Sequence, residues 1–520
     1  MLSVNLVPWL LAFSPIAVVI LLMVGLHWGA AKAGAAGWLT ALAAAILFFG
    51  ADAQLVALSQ VKGILLSVYV LYIIWMALLL YNVVAEAGAV GVIGLNFSRL
   101  TQNRTMQFLL LGWVFSSFLQ GAGGFGVPVA VAAPLLIAAG FDPSVAVVGT
   151  LIGHTWSVSL GSMGSSHQAL MAATGLSGEA LATWAAIYLG ILCFAAGVVM
   201  VHIYDGFRGI VRGAIPILAI GAAMSVTQYV VATARLWNLA AFLAGTVGLV
   251  VGGLLTRLPG MRGEARPAPS RMAQDTGNQE MGVIEAAAPY LLLIVIVLLP
   301  EMWPALATWL DQLQIQVAFP EMRTALGWVQ PAENGRDISI FGHPGALLFY
   351  TALLSYLFYR RRGFYAANAA QKIISRTLTG SIASSLGIVT MVGLAMLMSS
   401  VGMTFALAQG ISETMGRAYP FFAPFVGALG AFMTGSNTNS NVIFGQLQKN
   451  TAELIGSDVL IMLAAQTAGA AVGSVLAPAK VIVGASTCGL GGQEGRLLRA
   501  TMGYGILLIL GLSILTVLVI

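Results

Sequence analysis

The chain has 520 residues, 59% of them hydrophobic and only 8% charged, with a mean hydropathy of +0.93. Soluble domains carry roughly 25% charged residues, so this composition excludes an ordinary soluble globule and makes lipid the solvent for much of the surface. The net charge of +5 sits in loops flanking apolar runs, as membrane topology demands, and invites no nucleic-acid partner.

Apolar runs of about 20 residues, enough to cross a hydrocarbon core as helices, begin at 6–26 and recur at 64–85, 180–201, 284–300 and 506–520. The last two are short and need flanking residues to span. Continuous runs rather than alternation exclude a transmembrane β-barrel. No cationic region precedes the first run and no small-residue cleavage site follows it, so it reads as a retained helix. Cys193 and Cys488 lie in apolar sequence without metal-type or disulfide spacing. They are expected to be small buried hydrophobes, and no metal or cofactor is expected.

Basic clusters set the topology. Arg99 with Arg104, Arg208 with Arg212, Arg257 with Arg262, Arg266 and Arg271, and Arg360–Arg362 with Lys372 and Arg376 should face the cytoplasm. Residues 258–282 are rich in Pro, Gly and Ser and read as a flexible linker. Residues 301–341 carry Glu301, Asp311, Glu321, Glu333 and Asp337 against Arg323 and Arg336, and should lie outside. With these ends fixed, 105–140 must enter and leave on the cytoplasmic side, while 419–453 enters from outside. Two similar re-entrant hairpins from opposite faces define an inverted repeat, with about 12 to 14 membrane segments in all. The expected organisation is all-α: a first repeat over 1–179, a central scaffold over 180–363 and a second repeat over 364–520.

Each repeat carries a polar break. The first is Gln120-Gly121-Ala122-Gly123-Gly124-Phe125-Gly126; the second is Gly435-Ser436-Asn437-Thr438-Asn439-Ser440-Asn441. His154-Thr155 leading to Gly161-Ser162 follows the first, and Gln466-Thr467 leading to Gly473-Ser474 follows the second at the same internal spacing. Gly121, Gly123 and Gly126 spell a dinucleotide fingerprint, but no strand precedes them and no βαβ unit is present. What survives is close backbone approach and a helix start near Val127-Pro128 whose N–H groups suit an anion. The bland alternative is small-residue helix packing. The 436–441 run offers uncharged groups that can donate to a carboxylate or ligate Na⁺. It would be an ordinary turn but for its apolar flanks at 421–433 and 442–445.

Lys480 lies between apolar residues just after Pro478. A lysine within the bilayer costs at least about 2.5–3.5 kcal/mol and is a functional candidate unless it snorkels to the interface. His154 opens the first Thr/Gly-Ser element, and histidine titrates closest to physiological pH. His167 is a weaker candidate, and His27, His202 and His343 at segment ends read as interfacial.

Several stretches resemble the L-lactate permease family of bacterial plasma-membrane transporters. They are Gly121 through Ala130 with Ala133-Pro134-Leu135-Leu136, and Leu429 through Thr438 with Asn441 and Phe444-Gly445. Gln466 through Ala470, Ala477-Pro478 and Gly489-Leu490 also fit. The likeness covers 70–165 and 375–520 well and the middle only by hydropathy. It implies a carrier for small 2-hydroxy monocarboxylates such as lactate and glycolate, driven by proton symport. It also implies kinship with elevator-type ion transporters that use paired hairpins and Ser-Asn-Thr tips. The sequence departs from that pattern: Gln120 stands where Glu is common, Asn437 where many members have Asp, His154 where Asn is usual and Lys480 where a small polar residue is usual. An amide cannot carry a proton, so His154 becomes the proton-coupling candidate. The gained positive charge makes a more highly charged anion an alternative substrate.

The expected substrate site combines Gly121, Gly123, Gly124, Phe125, Gly126, Thr155, Ser162, Ser436, Asn437, Thr438, Asn439, Asn441, Gln466, Thr467, Ser474 and Lys480. The expected partners are a small organic anion, a coupling ion (H⁺, with Na⁺ as the alternative) and the lipid bilayer; a homodimer is allowed. A membrane enzyme would need a nucleophile–base pair or metal cluster, and the apolar segments contain none. An anion channel stays open as a second class, although a filter repeats more naturally around an oligomer.

Overall fold

The structure is a computed structural model that describes residues 6–26, 28–124, 126–258, 261, 281–335 and 337–520. Most of the expected linker over 258–282 lies outside the described residues, with Arg262, Arg266 and Arg271 in it; so do His27, Phe125 and Arg336.

Helices dominate because lipid offers backbone N–H and C=O groups no partners but each other. Among the described residues eight helices are long and apolar enough to cross a membrane. One of them, Gly178–Leu255, is interrupted at Asp205 and Gly206 and again at Ala234 and Arg235. Across the first break the legs lie antiparallel: Ser225 Oγ donates to the Gly190 carbonyl at 3.1 Å, and Gly221 faces the Phe194 ring. Across the second, Gly248 faces Met224 and Gly252 faces Ile220. That helix is therefore three crossings, making ten. The hairpin limbs and Pro344–Arg361 are not among these ten. The two short apolar runs gain length from their flanks, as Val283–Met302 and Glu494–Val519.

One element order occurs in both halves. In the first, Arg104–Leu109, Leu110–Phe115 and Ser116–Ala122 form a continuous limb, and Val127–Ala138 follows a break. Pro143–Gly153 then leads through Thr155–Ser157 and an irregular stretch to Ser165–Thr174. In the second half Tyr419–Thr434 breaks and resumes as Asn437–Ile455, and Val459–Leu476 breaks at Ala477 before Pro478–Thr487. Matching signals punctuate both copies. Gly140 and Gly456 take left-handed conformations after the hairpins, with φ of +86° and +69°. Asp142 then caps its helix through Ser144 N and Val145 N, and Asp458 caps its own through Leu460 N and Ile461 N. Such a cap contributes about 1 kcal/mol.

The ends of the first hairpin are level with each other. Arg104 donates to the carbonyls of Ala139 and Gly140, the latter at 2.8 Å, and stacks over Phe141. Thr101 bonds Met261, Arg362 pairs with Glu285, Arg376 pairs with Glu86, and Arg104, Asp205 and Arg212 line one cavity. Elsewhere the acidic segment forms a short helix, Pro304–Leu310, and then a ribbon over 314–339. Its short antiparallel strands pair Gln314 with Ser339, Ala318 with Asn334 and Met322 with Gln330.

Small residues let one helix pass through the core. Val459–Leu476 is buried from Ile461 to its end. A Cβ on Gly427, Gly469 or Gly473 would lie 2.1 Å from the carbonyl oxygen of Gln466, Pro424 or Ala428 respectively. The limb Tyr419–Thr434 thus packs backbone to backbone on Val459–Leu476, as close membrane helices do.

Candidate functional site

The first tip is stitched to the irregular stretch that follows Thr155–Ser157. Ser162 N donates to the Gln120 carbonyl at 2.8 Å, Met163 N to Gly121 at 3.3 Å, and Gln120 Nε2 to Ser162 Oγ at 3.5 Å. Gly124 sits at φ +65°, and a Cβ there would fall 1.7 Å from Ser162 Oγ. Ser162, Met163 and Gly164 are successive left-handed residues, with φ of +49°, +54° and +71°. Left-handed backbone costs a non-glycine residue roughly 1–2 kcal/mol, and such strain collects at ligand sites. The tip offers fewer anion donors than expected. Gly123 N and Gly124 N both point to the Leu119 carbonyl, Val127 N is bound to Gly124, and Pro128 has no N–H.

The second tip differs from the expected irregular run over 435–441. The break is only Gly435, at φ +69°, and Ser436; Asn437 already starts the helix. Ser436 is the reason, because its Oγ caps the helix by accepting from Asn439 N at 3.3 Å. Among the described residues the N–H groups of Asn437 and Thr438 have no partner. Free donors are therefore present where the helix of the second tip starts.

Side chains of the second tip reach across to the first half. Asn437 Nδ2 donates to Ser159 Oγ at 2.8 Å and to the Thr467 carbonyl at 3.3 Å. Asn441 Nδ2 donates to the Ser166 carbonyl and to Thr467 Oγ1, both at 3.0 Å. Thr438 and Ser166 hydroxyls meet at 3.0 Å, and Ser159 Oγ donates to the Thr467 carbonyl at 2.9 Å. The stretch from Ser159 to Ser166 thus touches both tips. Buried there, without partners among the described residues, are Oδ1 of Asn437, Asn439 and Asn441 and Oε1 of Gln120. Each such group costs about 1–3 kcal/mol unless a ligand meets it.

Other candidates have structural duties. Gln466 spends its amide on Gln448, at 3.0 Å, and on Ser440, at 3.1 Å, inside the second hairpin. Thr155 bonds back to the Ile152 carbonyl of its own turn. Ser474 Oγ donates to Ala471 and accepts from Lys480 Nζ at 3.1 Å. Lys480 is 8% exposed and is the only buried Lys, Arg, Asp or Glu among the described residues. Its helix rests on Val127–Ala138 and Pro143–Gly153, with Gly484 between Val129 and Val147. It therefore lies beside the two helices that begin at the first tip and end at His154. The His154 ring meets the Thr150 carbonyl through Nδ1 at 2.6 Å. A carbonyl only accepts, so Nδ1 carries the proton, and Nε2 is left buried without a partner.

Sequence reasoning missed Ser159 and Ser166. The signal was present as serines at 157, 159, 162, 165 and 166, a density unusual for an apolar crossing. His343, expected at an interface, is instead 2% exposed, caps its helix through Gly345 N and stacks on Tyr72. Cys193 is buried and Cys488 half-buried, both as free thiols.

A family model described as L-lactate permease matches residues 8–520. The chain is 27% identical to the L-lactate permease of Salmonella typhimurium, covering 93% of this chain and 91% of the relative. It is 26% identical to that of Bacillus subtilis, over 92% and 89%, and 27% identical to the glycolate permease GlcA of Escherichia coli K12, over 86% and 84%. The solved YdaH transporter of Alcanivorax borkumensis aligns over 86% of this chain and 84% of its own at 15% identity with a TM-score of 0.44, too distant to carry an argument. A match along nearly the whole length, together with eight apolar spans, means that the chain belongs to the L-lactate permease family, transporters rather than enzymes, and is a multi-pass protein of the bacterial plasma membrane.

Proposed function

We propose that the protein is a secondary active transporter for a small 2-hydroxy monocarboxylate such as L-lactate or glycolate, working by proton symport. The carrying observation is a charge imbalance. Lys480 is buried with no acidic partner among the described residues, and a buried unpaired charge is strongly unfavourable. A monovalent anion bound beside it would balance it. The N–H groups of Asn437 and Thr438 at a helix start, with the Ser159 and Ser166 hydroxyls alongside, suit its carboxylate and hydroxyl.

His154 supplies the coupling in this reading. Its Nε2 is the atom free to take a proton. A bound anion favours the charged ring, so anion and proton enter together. The architecture we infer is an inverted repeat of two re-entrant hairpins with elevator-type movement. It is supported by the repeated element order and by the level ends of the first hairpin.

The test is uptake into proteoliposomes under imposed gradients, with L-lactate and glycolate as probes. An inward proton gradient should drive accumulation, and proton uptake on binding should vanish in His154→Gln. Equal proton uptake in both proteins would remove His154 from the coupling role. A second reading has its own observation: the partnerless oxygens of Asn437, Asn439 and Asn441 are hard ligands of the kind Na⁺ prefers. Accumulation that follows a Na⁺ gradient and ignores pH would favour it. A flux that never accumulates anion uphill would indicate a channel.

Asn437 is the sharpest single position in the tip. Asn437→Ala deletes the bonds to Ser159 and Thr467. We expect at least roughly tenfold weaker transport, since each buried hydrogen bond left half-made costs about 1–3 kcal/mol, with membrane expression retained. Wild-type uptake by this variant would exclude the residue from the site.

A further inference from the structure

A separate cavity lies near the acidic ribbon. It holds about 720 Å³ and is bordered by Lys62, Lys449, Thr174, Trp328 and Glu333. Among the described residues the two lysines and Glu333 are the only charged ones that line it. Lys62 and Glu333 form an ion pair, 28% and 35% exposed, and Gln330 also donates to Glu333 at 3.2 Å. Among the described residues Lys449 has no carboxylate partner; it donates to the Thr174 carbonyl at 3.0 Å.

Two helices connect this cavity with the tips. Ser165–Thr174 carries Ser166, which meets Thr438, at one end and Thr174, which meets Lys449, at the other. Asn437–Ile455 carries Asn437 and Asn441 at its start and Lys449 three turns on. The helices pack together where Gly445 faces Leu170, Ala173 and Thr174. The path from Ser166 to Thr174 is eight residues of sequence, or roughly 12 Å of helix at 1.5 Å per residue. That is close to the screening length of physiological salt.

We propose that this cavity is a capture site for small carboxylates, in which Lys449 and Lys62 hold the anion before it reaches the tips and Glu333 is the internal carboxylate it displaces. The proposal deepens the transport reading and rests on it. Lys449 lies on the helix that carries the second tip, whereas among the described residues the only carboxylate in the lining lies on the ribbon. An arriving anion gains Lys449 outright and competes with Glu333 for Lys62. The alternative is that Lys62 and Glu333 merely fasten the ribbon to the helix beneath it.

The two ideas predict opposite signs for one substitution. If the cavity captures anions, Lys449→Gln and Lys62→Gln should each raise the half-saturation concentration for L-lactate uptake by roughly three- to tenfold and flatten its dependence on ionic strength, as loss of a steering charge does. Glu333→Gln should lower the half-saturation concentration, because it frees Lys62. If the pair is only a fastener, Glu333→Gln and Lys62→Gln should impair uptake alike and Lys449→Gln should do nothing; that pattern overturns the proposal. A transport-independent measurement separates failure here from failure of the transport reading. Cysteine placed at Asn450, which lines the cavity, in a Cys488→Ser background, should be shielded from a membrane-impermeant thiol reagent by L-lactate but not by uncharged lactamide. The shielding should disappear when Lys449→Gln is added. Absence of shielding in the parent protein rejects the capture site even if uptake is intact, and shielding without uptake upholds it while rejecting the carrier.

Discussion

Lys480→Met is expected to abolish most uptake while leaving the protein as stable as before, or more so. The substitution keeps the length of the side chain and removes the only buried fixed charge among the described residues. Losing one side of a buried charge pair costs about 2–5 kcal/mol, which is roughly 30-fold or more in affinity. Without the anion that same charge is a burden, since burying an ammonium without a counter-ion carries a penalty of several kcal/mol. Uptake and melting temperature should therefore move in opposite directions or the second not at all. A merely structural lysine, held by its bond to Ser474, would show both falling together. Wild-type half-saturation in the Met variant would show that Lys480 does not balance the substrate.

Gly124→Ala is expected to be the most damaging change at the first tip. The added methyl carbon would fall 1.7 Å from Ser162 Oγ and 3.0 Å from Ser162 Cβ, on backbone at φ +65°. Strain and overpacking together should cost about 2–5 kcal/mol, read as a large drop in melting temperature or in folded yield. Ser162→Gly removes the obstructing side chain and suits the φ of +49° at that position. The double variant should regain most of the lost stability, a coupling between touching residues that separate sites do not show. If Gly124→Ala alone is neutral, the first tip is not seated on the Ser162 turn.

Hydropathy, loop charge and duplicated motifs made the outline legible. Long apolar runs became helices because lipid leaves the backbone no other solution. The acidic partners of the basic loops, Glu86 and Glu285, lie where helices end and begin. The breaks at Gly123–Gly126 and Gly435-Ser436 were visible as glycine and hydroxyl residues inside apolar sequence. Which side of a break holds the free donors was not visible. That depends on whether a local carbonyl takes the N–H, as Leu119 does for Gly123, or a cap such as Ser436 lets the helix restart at once. Gln466 looked like Thr467 in the sequence, yet Gln448 and Ser440 consume its amide. The ribbon over 314–339 escaped notice because its strands are two residues long, too short for alternation to register.

The second tip draws its partners from both sides of itself in the chain, and this bears on how the protein is made. Ser159 and Ser166 have been synthesised long before Asn437 emerges, but Thr467, which bonds Asn437 and Asn441, comes after the hairpin. A nascent chain that has reached only Ile455 holds two asparagines, Asn437 and Asn441, whose amides lack part of their hydrogen bonding. Hydrocarbon punishes such groups by several kcal/mol each, so the hairpin cannot settle as an insertion unit of its own. Its integration has to wait for Val459–Leu476 to arrive and be enclosed. A chain truncated between the two would be left with an unfinished polar edge, the kind of lesion that membrane proteases remove.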